Sequence, residues 1–505
     1  MTDTDGEHAR LDLRLVPAAL TAWLVTGAGI VWNAGPTLAV VGAVMALIML
    51  TTLMFRSEST SSLTRSAGMG VAAVAVVGAG FSVAVALRCD AVRHHPLTAR
   101  FGASDWVTVT ASESPRSVLG GRVMFRGNLI QVDGSEISGA VLVFAPAAGY
   151  GPLMAGQPAR FWARIGRPSR PDLTVAALTA TGEPTLGEAG VLQRAANTVR
   201  ARFGEVARNV LPAGQAAAVS GLVLGDTSTV PSATTAEFRT AGLTHLTAVS
   251  GANVTIVCGA MLLSAVIVGP RMAVAVAAVA LVLFVVVVQP TPSVLRAAVM
   301  GAISLLAVLS SRRRQAIPAL AATVITLMVV QPQLAVDIGF ALSVVATAGL
   351  VLVAPNWSRR LCARGWPKPV ADALSVAVAA QLVTAPLIAA ISDRFSLVAV
   401  IANLLVAPVI APVTVLGTAA AALCVVAPGV AALLIRFTGP EVWWLLRVAH
   451  VAAGMPVANL PVPSGVAGLL MVGGAGVLAV LLALRPWHDS RVRRATGEDQ
   501  RVSPK

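Results

Sequence analysis

Stretches of about twenty apolar residues, the length a helix needs to cross a bilayer, recur from one end of this 505-residue chain to the other. The clearest cover 15–32, 36–55, 67–87, 271–289, 293–310, 335–354, 370–391 and 464–485. No single water-soluble core can bury so many, so the solvent of this chain is the membrane. Composition agrees, with 56% hydrophobic and 12% charged residues, where a soluble domain carries about a quarter charged. The expected fold is a polytopic α-helical membrane protein of roughly twelve spans. The first stretch reads as a span rather than a cleaved signal, because no small-residue cleavage site follows Trp32 and further spans come close behind.

The net charge of +14 is placed as a membrane protein requires. Arg312, Arg313 and Arg314 lie between two spans, Arg359, Arg360, Arg364 and Lys368 between another two, and Arg491, Arg493 and Arg494 in the tail. Assigning these groups to the cytoplasm satisfies the positive-inside rule and puts both termini inside a multi-pass cell-membrane protein.

Three spans from a cytoplasmic start deliver the chain outside at residue 88, where hydropathy collapses for about a hundred residues. The expected domains are N-terminal transmembrane helices at 1–87, an extracytoplasmic β domain at 88–187, an amphipathic interfacial helix at 188–211, a transmembrane channel domain at 212–485 and a basic cytoplasmic tail at 486–505. Within the insert, "DWVTVTA", "RVMFRGNLIQV", "GAVLVFA", "ARFWARIG" and "DLTVAALTA" alternate at period two between turn residues. Five such strands suit a small all-β, OB-like barrel. Alternation in "ARFWARIG" sets Arg160, Trp162 and Arg164 on one face and Phe161 and Ile165 on the other. Arg122 and Arg126 share a strand face in the same way. Cations for phosphates and a ring for bases are what single-strand binders use; the alternative is that Trp162 covers a barrel end while the arginines are simply solvated.

In 188–211, Leu192, Ala195, Val199, Phe203, Val206 and Val210 form one stripe while Arg194, Arg200 and Arg208 point away. This suits a helix lying at the membrane surface, with DNA guidance by its arginines as the second reading. Pro386, Pro408 and Pro412 fall within later spans; broken helices at membrane depth are tolerated where the freed backbone meets protein or a wet cavity. Glycines such as Gly473, Gly474 and Gly476 also allow close helix packing.

Chemistry for catalysis is not evident. Cys89, Cys258, Cys362 and Cys424 form no CxxC pair, and the six histidines are scattered, so neither a disulfide framework nor a metal site is expected. "AVSGA" around Ser250 lacks a nucleophile elbow, and "LVLGDTSTV" at 222–230 lacks the Lys-Ser/Thr of a phosphate loop.

"LTHLTAVSGANVTIV" at 243–257 opens an apolar helix with His245, Ser250 and Asn253. Arg296 opens another span and Asp337 a third, so three helices are expected to bring polar groups to one outer level. Charged side chains there face a bundle interior or a wet cavity, which points to an outward-opening vestibule. Each group has a plainer reading: Asp337 as a helix cap, Arg296 snorkelling to headgroups, His245 and Asn253 satisfying each other or nearby backbone.

The run "GLVLGDTSTVPSATTAEFRTAGLTHLTAVSGANV" at 221–254 resembles the signature of the ComEC family of competence DNA uptake channels. "PSVLRAAVM" at 292–300, "DIGFALSVVATAGL" at 337–350, and "QLVTAPL" with "IANLLVAPV" at 381–409 resemble the family's competence domain in the same order. Asp226, Ser343, Gln381 and Asn403 in these runs join His245, Ser250, Asn253, Arg296 and Asp337 as vestibule or pore candidates. Asn253 stands where the family often has a second histidine, and no His-x-His-x-Asp-His motif of the appended metallo-β-lactamase-like domain is found. The resemblance implies import of single-stranded DNA through the bundle during natural transformation, without a cofactor. Its implied partners are membrane lipid, an extracellular DNA receptor of ComEA type, a cytoplasmic helicase-like motor and a separate nuclease. The rival readings are a transporter of a small solute or ion with the β domain as a structural cap, and a membrane scaffold.

Overall fold

The computed structural model describes residues 12–32, 34–37, 40–42, 44, 62–118, 120–246, 251–263, 269–309, 315–456 and 458–484. Most of the expected span at 36–55, the arginines at 312–314, Ser250 and the tail at 486–505 lie outside the described residues.

Among the described residues five helices are long and apolar enough to cross a membrane: Gly68–Arg100, Arg271–Val288, Ile338–Ala363, Lys368–Ser392 and Ala399–Leu423. A sixth span arises if Pro428–Phe437 and Gly439–Ala453, bent by 42°, count as one. Shorter apolar helices include Val16–Val31, Ala213–Leu224, Pro292–Ala307, Ala316–Val330 and Gly465–Leu481. The expected breaks at Pro386, Pro408 and Pro412 are not there: all three prolines sit inside continuous helices. Neighbouring helices re-satisfy the backbone a proline frees, and the bend falls instead at the Thr438–Gly439 junction.

The helix Ser62–Arg93 continues past residue 87, the expected domain edge, before the chain enters the β region. There, β1 (Ser104–Ala111), β3 (Arg122–Val132), β4 (Ser135–Pro146), β5 (Pro158–Gly166) and β6 (Ala176–Leu186) follow the alternating runs, and β2 (Arg116–Val118) adds an edge that alternation did not reveal. β5 and β3 flank β1, β3 pairs with β4, β4 with β6 in parallel, and β6 with β5. Those five pairings form a ring, so the sheet is a closed barrel. Its interior is Val107, Val109, Phe125, Val143, Phe161, Ile165 and Leu178, all buried. Removing a ring such as Phe161 from such a core costs about 3–5 kcal/mol. Gly127 lets β1 and β3 close together, because a Cβ there would collide with Val109. Tyr150 packs edge-on against Phe161 at 5.5 Å with its hydroxyl unpartnered among the described residues, and burial pushes that hydroxyl up from the ordinary phenol range.

Helix Val191–Val210 keeps the expected stripe in Val199, Phe203, Val206 and Val210, which pack against the core, but not in its first turns. Leu192 and Ala195 are exposed, whereas Ala196, Phe203 and Ala207 are buried, and Arg200 turns inward. The packing partner rotates the helix: it lies antiparallel against Ala213–Leu224 and joins the core of the Ala399–Leu423 and Gly439–Ala453 helices. Arg194 and Arg208 remain exposed as expected.

Candidate functional site

Two groups of the polar residues come together. In the first, the Arg296 guanidinium is 7% exposed, so it does not snorkel to solvent. Its Nε donates to Ser343 Oγ at 2.6 Å, and its Nη1 stands 3.3 Å from Met300 Sδ. Its Nη2 lies over Gly251, where any Cβ would displace it or Ala297. Thus the starts of three helices, Gly251–Leu263, Pro292–Leu309 and Ile338–Leu352, meet around one cation.

Asn253, buried at 6% exposure, sits beside this group but faces elsewhere. Its Nδ2 donates to the Leu222 carbonyl at 3.0 Å and its Oδ1 accepts from Thr414 at 3.4 Å. It ties the end of Ala213–Leu224 to Ala399–Leu423, and so braces helices rather than lining an open mouth. Asp337 caps its helix, accepting from the Phe340 N–H at 2.8 Å, which is the plainer of its two readings.

The second group lies where the Gly242 turn, three residues before His245, packs against Ser396 and Ala399. Ser396 Oγ donates to the Thr240 carbonyl at 2.9 Å, and Gln381 Nε2 donates to the Ser396 carbonyl at 3.4 Å. Gly242, at φ +73°, closes the turn so tightly on the helix that a Cβ would strike Ala399. His245 itself is exposed. Asn403 spends its amide on the Ala399 carbonyl of its own helix, at 2.8 Å. The Gly242 turn thus packs at Ala399 and Asn253 at Thr414, fifteen residues farther along one helix, which is about 22 Å at 1.5 Å per residue. His245 stands on the single 3-10 turn Thr244–Leu246, and Asn253 in the helix Gly251–Leu263.

Asp226 takes a local role, accepting from the Ser228 N–H at 3.1 Å and from the Ser228 hydroxyl at 2.6 Å. It also neighbours Arg200, whose guanidinium burial pulls down and the Asp226 charge pushes back up. Arg200 Nη1 donates to the Leu224 and Val287 carbonyls, each at 3.0 Å. These are carbonyls at the C-terminal ends of two helices, where a cation is favoured. Hydropathy placed Arg200 outside because it is charged, although Phe203 and Ala207, three and seven residues on, share its face and are buried; a helix packed on both sides leaves room for one cation among carbonyls.

On the barrel, alternation holds: Arg160, Trp162 and Arg164 are exposed while Phe161 and Ile165 are buried. Trp162 faces outward at 40% exposure and does not plug an end. Its cross-strand partner is Trp106, with ring centroids 5.7 Å apart at 73°, and the Arg160 guanidinium lies 5.4 Å from the Trp106 ring. Trp106, 43% exposed, shares the outward phase of β1 with Thr108, and that alternation is the sequence signal that marks it. Arg122 and Arg126 are exposed too, but on β3 opposite Pro146 and Leu142 of β4. β3 neighbours β1, which carries Trp106, and lies two strands from Trp162 on β5.

The barrel touches the bundle at one telling place. The Ser114 N–H donates to Gln289 Oε1 at 3.3 Å, and Gln289 Nε2 donates to Ser114 Oγ at 2.7 Å. Gln289 follows the Pro270–Val288 helix and precedes the helix that carries Arg296. Among the described residues no three His, Cys, Asp or Glu side chains gather as metal ligands would.

A family model described as competence protein matches residues 222–487. That match takes in His245, Asn253, Arg296, Ser343 and Gln381. No curated protein and no solved structure matches the chain.

Proposed function

From the premise that this chain belongs to the competence protein family, and so acts in DNA uptake, we propose that it is the membrane channel by which one DNA strand reaches the cytoplasm. Phosphates cannot enter hydrocarbon without large cost, so the strand needs a surface that receives it and a polar route that replaces its hydration. The barrel, which we read as OB-like, offers stacking and cationic groups at Trp106, Trp162 and Arg160, the combination that holds single strands without regard to sequence. The observation that carries this reading is the Ser114–Gln289 contact, seven residues before Arg296. It joins the receiving domain to the helix that bears the buried cation.

We read the five or six long helices and the shorter apolar ones as about twelve spans. Arg271, and the Arg359, Arg360 and Arg364 group, lie at helix ends away from Gln289 and Asp337. That distribution supports a barrel outside and both termini in the cytoplasm. In this reading a ComEA-type receptor delivers DNA outside, a separate nuclease removes the second strand, and a helicase-like motor pulls from the cytoplasm.

The test is uptake of labelled DNA in a strain deleted for this gene and complemented with wild-type or Arg296→Ala protein, its level checked by blot. Loss of uptake in the deletion, rescue by wild type and failure of Arg296→Ala support the channel. A small-solute transporter with the barrel as cap, or a scaffold, would leave Arg296→Ala competent at normal protein level.

A further inference from the structure

Helix Val16–Val31 packs on both Ser62–Arg93 and Ala316–Val330, and a groove of about 240 Å³ runs between those two neighbours. Ser62–Arg93 lends it Val77, Phe81, Ala84 and Arg88, spaced as one stripe of a helix. Arg88 stands eleven residues after Val77, about 16 Å at 1.5 Å per residue, or half of a hydrocarbon core about 30 Å thick. The opposite stripe of the same helix is already covered, since a Cβ on Gly42 or Gly35 would press against Ala79 or Ala86. On the groove side a Cβ at Gly80 would meet nothing within 4 Å. The groove is apolar with one charged end. Thr26 lines it but spends its hydroxyl on the Ala22 carbonyl at 2.7 Å, and Arg88 is the one charged lining residue. The exposed Arg88 guanidinium donates from Nη2 to the Val329 carbonyl at 2.9 Å, which leaves most of its five N–H donors. No carboxylate among the described residues pairs with it, and Asp90, two residues on, is held by His94 at 3.0 Å.

We propose that this groove holds one acyl chain of an anionic phospholipid, with the lipid phosphate on Arg88, in the leaflet on the barrel's side. Three features converge on that ligand. The lining from Val77 to Ala84 suits hydrocarbon and offers nothing to a polar solute. The length matches one leaflet and not the whole bilayer. The cation sits at the end from which the chain runs on into the barrel, whose first strand begins at Ser104, and that is the level at which headgroups lie. A guanidinium there meets a phosphate with charge-assisted hydrogen bonds. The bound lipid fills the seam between Ser62–Arg93, the helix that carries the barrel, and Ala316–Val330, so it steadies the barrel's attachment. This role is independent of what the bundle conducts.

The test uses the full chain in phosphatidylcholine nanodiscs doped with phosphatidylglycerol that carries a photoreactive diazirine in its acyl chain, the labelled residues being mapped by mass spectrometry. Label is expected to concentrate at Phe81 and Val329 over Val279, which is 59% exposed elsewhere on the bundle. Unlabelled phosphatidylglycerol should compete for Phe81 about fivefold better than phosphatidylcholine, the preference that one cation near the surface confers. Arg88→Gln, a change at an exposed position, should abolish that preference, and Arg88→Lys, which keeps the charge, should retain most of it. Gly80→Phe places a ring in the groove where a Cβ meets no neighbour, and should remove the label at Phe81 while leaving that at Val279. Label at Phe81 no stronger than at Val279, or label there that survives Gly80→Phe, overturns the groove as a lipid site. Equal competition by the two lipids, or a preference that persists in Arg88→Gln, overturns the assignment of the phosphate to Arg88.

Discussion

Ser114, on the loop between β1 and β2, and Gln289, at the end of the Pro270–Val288 helix, exchange two hydrogen bonds, at 3.3 and 2.7 Å. Gln289 holds them with a φ of +75°, a conformation that is strained for a residue with a side chain. The strain is local, and what offsets it is the grip on the barrel. A double-mutant cycle on Ser114→Ala and Gln289→Ala should give a coupling of about 1 kcal/mol, read from hydrogen exchange at 112–114. Gln289→Gly removes the strain and the grip together, so it should raise exchange there without lowering overall stability; equal exchange in all variants would mean the barrel is held elsewhere.

The outward Trp106–Trp162 pair and Arg160 should bind single strands. Trp162→Ala is expected to weaken oligonucleotide binding to the full chain by about 1–3 kcal/mol. Arg160→Ala should lower the slope of log affinity against log salt by about 0.7. Arg122→Ala, on β3 and without the ring contact that Arg160 makes, should change affinity less than Arg160→Ala. Fluorescence anisotropy across a salt series reads all three.

Arg200 bonds the carbonyl ends of two helices, Ala213–Leu224 and Pro270–Val288. Arg200→Ala leaves those carbonyls without their donor, at a cost of about 1.5–3 kcal/mol. The nearby exposed Arg208→Ala should cost little. Thermal unfolding of both variants in nanodiscs checks the contrast; equal effects would return Arg200 to the surface.

Tyr150 is the chain's one tyrosine, so its titration can be read directly from tyrosinate absorbance. Burial holds it protonated, which puts the folded value above the unfolded one near 10. Stability from this group is complete below about pH 10 and is lost as pH rises above it. Tyrosinate should therefore appear only as the barrel opens, and Tyr150→Phe should flatten the alkaline loss of stability. Removing a buried hydroxyl that lacks a partner should also stabilise the barrel, or leave it unchanged.

The barrel strands were legible because a period of two with one wet face leaves little freedom: Phe161 and Ile165 inward, Trp162 outward. Asp337 was legible as a cap because capping is local. The bundle was less so. Arg200 turned inward, and Leu192 outward, because a second helix packs on the face that hydropathy assigned to water. The Gly242 turn and Asn253 pack fifteen residues apart on Ala399–Leu423, a tertiary placement that spacing along the chain does not fix. Gly251 carried no signal until Arg296 was seen lying across it.

The central claim is that a strand passes from the barrel face to the Arg296 group, and photo-crosslinking of a strand stalled in transit tests it most directly. With a bulky block on the trailing end of imported DNA, a photoreactive residue at 162, 296 or 343 should crosslink to the strand. The same residue at 279, where Val279 is 59% exposed on the outside of the bundle, should not. Crosslinks at 279, or none at 296 and 343 while the strand is held, would contradict the account.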